Sequence, residues 1–238
     1  MDRAHLNRRL RWLRDGTDLL TGTVRDLPDE ALAAPSLLDG WTRAHLVGHL
    51  ARNADALINL LDWARTGVET PMYPNQQSRE ADIERSVAQP PAALRADLLD
   101  GIARLDRDIA SLPEHSWQAI VRTNRGRPVP AAEVPWMRAR EVWVHAVDLG
   151  GTATFADFPV ELAGALLTDA FFFAARQPEV PAVRLLATDV ELELSLGGPE
   201  SAEPVEVRAP VRDLLPWALG RHRLLPPGTD WPELPAWL

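Results

Sequence analysis

Arg140-Glu141-Val142-Trp143-Val144-His145-Ala146-Val147-Asp148-Leu149-Gly150 is the stretch on which the reading of the fold turns. It lies in a segment predicted to be helical from about Ala131 to Leu149, with Gly150-Gly151 as its stop. Glu141 and His145 are four residues apart, so on a helix they share one face, a turn apart. A carboxylate and an imidazole at that spacing can hold the same metal ion. Zinc asks for at least three protein ligands, so another part of the chain must provide the third.

Working outward, the preceding sequence reads as helix after helix. Leu6, Leu10, Leu13, Leu20 and Val24 form the apolar stripe of a first helix, stopped at Leu27-Pro28-Asp29. Thr42 is a candidate N-cap for a second helix reaching about Thr66, with Leu46, Leu50, Leu57 and Leu61 as its stripe and Gly67 as its end. Glu69 to Asn75 reads as a loop. Ser78 to Ala88 reads as a short polar helix, and Pro90-Pro91 opens a longer one carrying Leu94, Leu98, Ile102, Leu105 and Ile109. Gln118 to Arg122 and Arg127 to Val129, around Asn124-Arg125-Gly126, suggest a hairpin or structured loop.

Beyond Gly151 the texture changes. Pro159 to Arg176 reads as one helix, and Val183 to Thr188, Val190 to Leu196 and Val205 to Ala209 as strands, with a turn at Gly197-Gly198-Pro199. Asp213 to Leu219 reads as a last short helix. The expected fold class is therefore α+β: a four-helix bundle over residues 1–153, followed by a small α/β domain over 154–238.

Composition narrows the chemistry. The 238 residues carry a formal charge of −9, which argues against a nucleic-acid partner. No apolar run is long enough to span a bilayer, and the charged start Met1-Asp2-Arg3 lacks a secretory signal, so a soluble cytoplasmic protein is expected. Its oligomeric state is left open, a monomer included. There is no cysteine, which excludes disulfides, thiolate metal sites and a cysteine nucleophile. There is no lysine either, all 25 basic residues being arginine, so Schiff-base chemistry is excluded as well. Any metal must be held by nitrogen and oxygen, and any thiol must come from outside.

Two histidines compete for the third ligand position. His45 and His49 are four residues apart on the second helix, facing one direction. Bundle cores are built where facing helices bring such side chains together. His49 lies a full turn deeper and is the better candidate, whereas His45 falls near the N-terminal turn, where exposure is its simplest role. Pairs of this kind are also common as surface contacts or satisfied core polar groups, and Trp41, Trp136 and Trp143 suit an ordinary core equally well. Spacing alone leaves the site open.

Several longer stretches add to this. Ser36 through Leu46, Asp62 through Tyr73 and Trp136 through Gly150 resemble the mycothiol-dependent maleylpyruvate isomerases, as do Ala153-Thr154-Phe155-Ala156-Asp157 and the Trp-Leu terminus. The resemblance covers nearly the whole chain and weakens after about Pro159. It implies a metal-binding helical bundle of the wider DinB-like group. It further implies a zinc ion held by His49, Glu141 and His145. It matches Arg79 to an arginine after the Pro-Met-Tyr loop, and Arg221 to an arginine of a C-terminal Gly-Arg pair that reaches the active site and serves catalysis and thiol binding. For most of the arginines, a solvated surface charge is the plain role.

On this resemblance the activity would be cis-trans isomerisation of maleylpyruvate to fumarylpyruvate, a step of gentisate degradation. A zinc-bound mycothiol thiolate would add to the cis double bond, the resulting single bond would rotate, and the thiol would leave. Arg79 and Arg221 would hold the carboxylates of the small dicarboxylate substrate. Three alternatives stand beside this. The first is a mycothiol S-transferase using the same thiolate, and the second a non-catalytic metal-binding module. The third is a regulatory protein docking through Phe171-Phe172-Phe173, for which interdomain packing is the plainer role.

Overall fold

The computed structural model describes residues 3–197 and 203–235. The chain divides into two compact units, Met1–Ala153 and Thr154–Leu238. The first is built on α1 (Arg3–Asp26), α2 (Arg43–Thr66), α3 (Gln76–Val87), α4 (Pro91–Ser111) and α5 (Val134–Asp148), with a hairpin of β1 (Ile120–Arg122) and β2 (Pro128–Pro130) between the last two helices. The second holds α6 (Val160–Ala174), the strands β3 (Val183–Ala187), β4 (Glu193–Leu196) and β5 (Val205–Ala209), and α7 (Val211–Ala218). The class is mixed α+β.

In the helical unit α1 packs along α5, and α2 packs against α3, α4 and α5. The stripe predicted on α2 is the centre of the core: Leu46, Leu50, Leu57 and Leu61 are all fully buried. Two glycines set how closely helices approach. A Cβ at Gly16 would lie 2.5 Å from the Trp143 ring, and one at Gly48 would lie 2.8 Å from the Ser86 Cβ. No side chain larger than hydrogen fits at either place without displacing a neighbouring helix. At the back of α5 the Trp143 indole N–H donates to the Trp12 carbonyl at 2.7 Å.

Local chemistry fixes the ends of these helices. Thr42 caps α2, and Gly67 closes it in the left-handed region at φ 74°. Helix α3 starts earlier than the expected Ser78, because the Asn75 side chain accepts from the Ser78 N–H at 2.8 Å and acts as N-cap. The segment Ala131–Glu133 is a 3₁₀ turn, so α5 proper begins at Val134 with a proline in its first turn. The hairpin pairs Val121 with Val129 and is shorter than its apolar run, since Gln118 ends a preceding 3₁₀ turn. Arg43 joins the start of α2 to the end of α5. Its Nε donates to Leu149 O at 2.6 Å and its Nη2 to Gly150 O at 3.1 Å, satisfying carbonyls that the helix end leaves open.

In the second unit the sheet order is β4-β3-β5, with β3 antiparallel to β4 and parallel to β5. The strand expected from Val190 begins only at Glu193. A tight turn, with Leu192 N bonded to Val190 O and Ala187 N to Leu192 O, uses up the intervening residues. Gly198 and Pro199 of the expected turn, and the terminal Trp237-Leu238, lie outside the described residues. Trp217 is fully buried, in edge contact with Phe171 at 5.9 Å and Trp231 at 5.5 Å. Phe172 is 57% exposed under the Arg176 guanidinium, so the three phenylalanines do not form one patch. Among the described residues no helix is long and apolar enough to cross a membrane.

Candidate metal centre

Three side chains meet where α2 and α5 face each other. His49 stands on the second turn of α2, Glu141 midway along α5 and His145 on its last turn. The Nε2 of His49 is 2.9 Å from Glu141 Oε2, and the Nε2 of His145 is 3.3 Å from the same oxygen. One donor atom from each residue lies within 4.8 Å of the other two. The imidazole rings meet edge to face at 5.1 Å. Both histidines are buried, and among the described residues the group holds these three donors and no fourth.

Neighbouring groups fix each donor. Asp148, itself fully buried, has Oδ2 at 2.8 Å from His145 Nδ1, one turn further along α5. A carboxylate on the far nitrogen holds an imidazole's tautomer and ring plane, the usual support of a metal-bound histidine. The Trp41 ring meets the edge of His49 at 5.5 Å. Arg79 Nη2 lies 3.2 Å from His49 Nδ1. A guanidinium can only donate, so in this arrangement His49 accepts at Nδ1 and carries its proton on Nε2, facing Glu141. Ligation through Nε2 would move that proton to Nδ1, where Arg79 can no longer donate. The Arg79–His49 bond and metal binding at Nε2 therefore exclude each other.

The electrostatics follow from burial and pairing. Burial works against the charged form of His145, but hydrogen bonds and charges from Asp148 and Glu141 outweigh it and raise its pKa to about 9. His49 is pulled below the usual imidazole value by burial, only partly offset by Glu141. Burial alone would raise Glu141; the two imidazoles overcome this and hold it well below the carboxylate range. Burial pushes the Tyr73 phenol up to about 12, against the pull of Arg79, whose guanidinium lies 5.8 Å from its ring. Tyr73 is a neutral hydrogen-bond donor at any ordinary pH.

His45 has a different job from the exposed one expected. Its Nδ1 accepts from the Thr42 N–H at 3.2 Å while Thr42 Oγ1 accepts from the His45 N–H, a reciprocal cap on α2. Its Nε2 faces Glu84 at 3.4 Å. The ring serves the helix end rather than the donor cluster. Arg221 belongs to the second unit, where it is buried after Gly220 (φ 73°) and donates through Nη1 to the Leu219 carbonyl.

Asp148, Tyr73 and the buried Arg138 received no role from the sequence. For Asp148 a signal existed, since His-x-x-Asp spacing on one helix places the carboxylate beside the ring. Arg138 donates through Nη1 to Leu50 O at 2.8 Å and to Asn53 Oδ1 at 2.7 Å. Burial lowers its pKa to about 10, against the charge of Glu141, so it stays cationic at neutral pH.

Known proteins are similar to this chain over differing lengths. Two uncharacterized proteins of Mycobacterium tuberculosis, from strains CDC 1551 and H37Rv, are each 30% identical over 140 residues, 58% of this chain. The chain spans about half the length of these curated relatives, 53%. The crystal structure of a mycothiol-dependent maleylpyruvate isomerase matches all of this chain with all of its own, at TM-score 0.91 and 36% identity. A histidine-to-alanine mutant of that isomerase matches equally fully, at TM-score 0.91 and 35% identity. The profile of the mycothiol maleylpyruvate isomerase N-terminal domain matches residues 13–150, which contain the whole donor cluster. The chain belongs to the mycothiol maleylpyruvate isomerase family.

Proposed function

We propose that this protein is a mycothiol-dependent isomerase that converts maleylpyruvate to fumarylpyruvate, using a divalent metal ion, zinc by its donor set. The observation that carries the reading is the buried His49–Glu141–His145 cluster in a chain alike, end to end, to a mycothiol-dependent maleylpyruvate isomerase. The donor set suits the ion: two imidazoles and one carboxylate are a common catalytic zinc set, and three ligands leave a coordination position for an outside group. With no cysteine in the chain, the sulfur must be exogenous. When bound, the metal supplies Lewis acidity that ionises the coordinated thiol and so furnishes the nucleophile for reversible addition to the double bond.

The protein's own residues do the rest. Asp148 holds the His145 ring so that Nε2 faces the cluster. The burial of the cluster strengthens each charge interaction by excluding water. Arg79, released from His49 by the tautomer change, offers a planar pair of donors to a substrate carboxylate beside the cluster. Tyr73, beside Arg79, keeps its proton and can donate a hydrogen bond to a developing enolate oxygen. Arg221 is proposed as the second carboxylate- or thiol-binding cation.

The test is direct. Zinc-loaded protein is incubated with mycothiol and maleylpyruvate while substrate absorbance and free thiol are followed together. Loss of maleylpyruvate absorbance with thiol unchanged is expected. Stoichiometric thiol consumption would instead make the protein an S-transferase, and no change in either would leave a metal-binding module. Arg221→Ala should retain zinc and lose turnover; unchanged kinetics would remove Arg221 from the site.

A further inference from the structure

Arg138 is 1% exposed, a charged side chain wholly inside the helical unit. Replacing a buried charge by an apolar residue of similar size is often neutral or stabilising for folding. Packing is thus a poor account of this arginine, and its contacts suggest another. Both acceptors of Nη1 lie on α2: the carbonyl of Leu50, the residue after His49, and the Asn53 side chain, one turn beyond His49. Arg138 itself lies on α5, one turn before Glu141. The Leu50 carbonyl already serves the α2 ladder, so Arg138 takes its second lone pair. Asn53, also buried, is held in place by the same nitrogen.

These bonds cross between the two helices that carry the donor cluster, within a turn of a ligand on each side. Arg43 makes the corresponding cross-link at the other end, from α2 to the carbonyls closing α5. Between the two clamps, His49 meets Glu141 and His145. A slide of α2 along α5 by even half a turn, about 2.7 Å, would separate His49 Nε2 from the oxygen it now faces at 2.9 Å. The second terminal nitrogen, Nη2, is buried with no hydrogen-bond partner among the described residues. Arg138 also interacts electrostatically with the Glu141 carboxylate, one turn along the same helix.

We infer that Arg138 is a positioning residue for the metal centre: it locks α2 to α5 in the register that brings His49 onto Glu141 and His145. The inference rests on the proposed metal site. Its role is geometric and electrostatic, exercised through the ligands, and it does not touch substrate. Removing a group that holds a metal's ligands in place typically costs about 10–100-fold in metal affinity or activity. Arg138→Met should therefore leave a folded protein whose zinc affinity has dropped, while Arg138→Lys, which keeps the charge and one donor, should recover part of it.

The experiment measures zinc affinity by competition with a chromogenic chelator for the full-length wild type, Arg138→Met, Arg138→Lys and Asn53→Ala. Thermal unfolding of each metal-free protein is followed in parallel. A loss of affinity of about tenfold or more in Arg138→Met, partly restored in Arg138→Lys, is expected. Should Arg138→Met fail to fold, Asn53→Ala decides, with a smaller affinity loss at near-native melting temperature as the expected result. Folded variants that bind zinc as tightly as wild type would overturn the positioning role and leave the metal site standing. A wild type that binds no zinc would overturn both.

Discussion

The two units spend their buried polar side chains very differently. In the helical unit His49, Asn53, Arg138, His145 and Asp148 are all buried, and all lie on α2 or α5. In the second unit Arg221 alone among the described residues belongs to that class, beside an aromatic cluster centred on Trp217. Burying a polar group costs folding free energy unless it is fully partnered. A unit that gathers five in one place is therefore shaped around something other than its own stability. The second unit follows ordinary packing rules, with one three-stranded sheet and an apolar interior.

That contrast can be broken by experiment, and the largest effect is expected at the ligands. His49→Ala, like Glu141→Gln, should abolish stoichiometric zinc binding while preserving the helical circular dichroism. Elemental analysis that finds one zinc per chain in the His49 variant would refute the ligand set. The opposite pattern is expected in the second unit. Trp217→Ala should cost about 3–5 kcal/mol of stability yet leave zinc stoichiometry intact, as calorimetry and metal analysis on the same sample would show. Gly16→Ala is intermediate, for it forces a methyl into the Trp143 ring and should cost about 1–3 kcal/mol. It should also disturb the proposed metal site indirectly, by moving α5.

The smallest effect is the most diagnostic. In metal-free protein His145 has its pKa raised to about 9 from 6.5, so the folded state binds a proton more tightly than the unfolded one. The stability this contributes is complete below pH 6.5 and is lost as pH rises through about 9. Asp148→Asn removes a main cause of the shift and should flatten that decline, as denaturant midpoints between pH 6 and 9 would reveal. It should also weaken zinc binding about 10–100-fold. An unchanged pH profile would mean that the Asp148–His145 bond does not set the protonation of the site.

How much of this could be read from the chain depended on distance along it. Glu141 and His145 were legible because four residues on a helix determine a shared face. The α2 stripe and its Thr42 cap were legible for the same reason. His49 needed an argument about depth, since nothing local says which helix faces α5. The role of His45 was not legible, because the cap uses its side chain as well as that of Thr42. Arg138 was invisible, being one arginine among 25, and only the packing of α5 on α2 shows that it is buried. Tyr73 stands near Arg79 because of the path of an irregular loop, which no periodicity encodes.

The histidine of α2 and its carboxylate partner on α5 are 92 positions apart along the chain. An unfolded polypeptide offers an ion little more than a transient Glu-x-x-x-His pair, which is a weak chelator. An ion at the proposed site would thus arrive after assembly and reward only the finished bundle, so saturating zinc should raise the melting temperature without hastening refolding. On the proposed zinc-dependent reading, cells growing short of zinc would then hold a pool of folded, idle protein, ready to be switched on by supply alone.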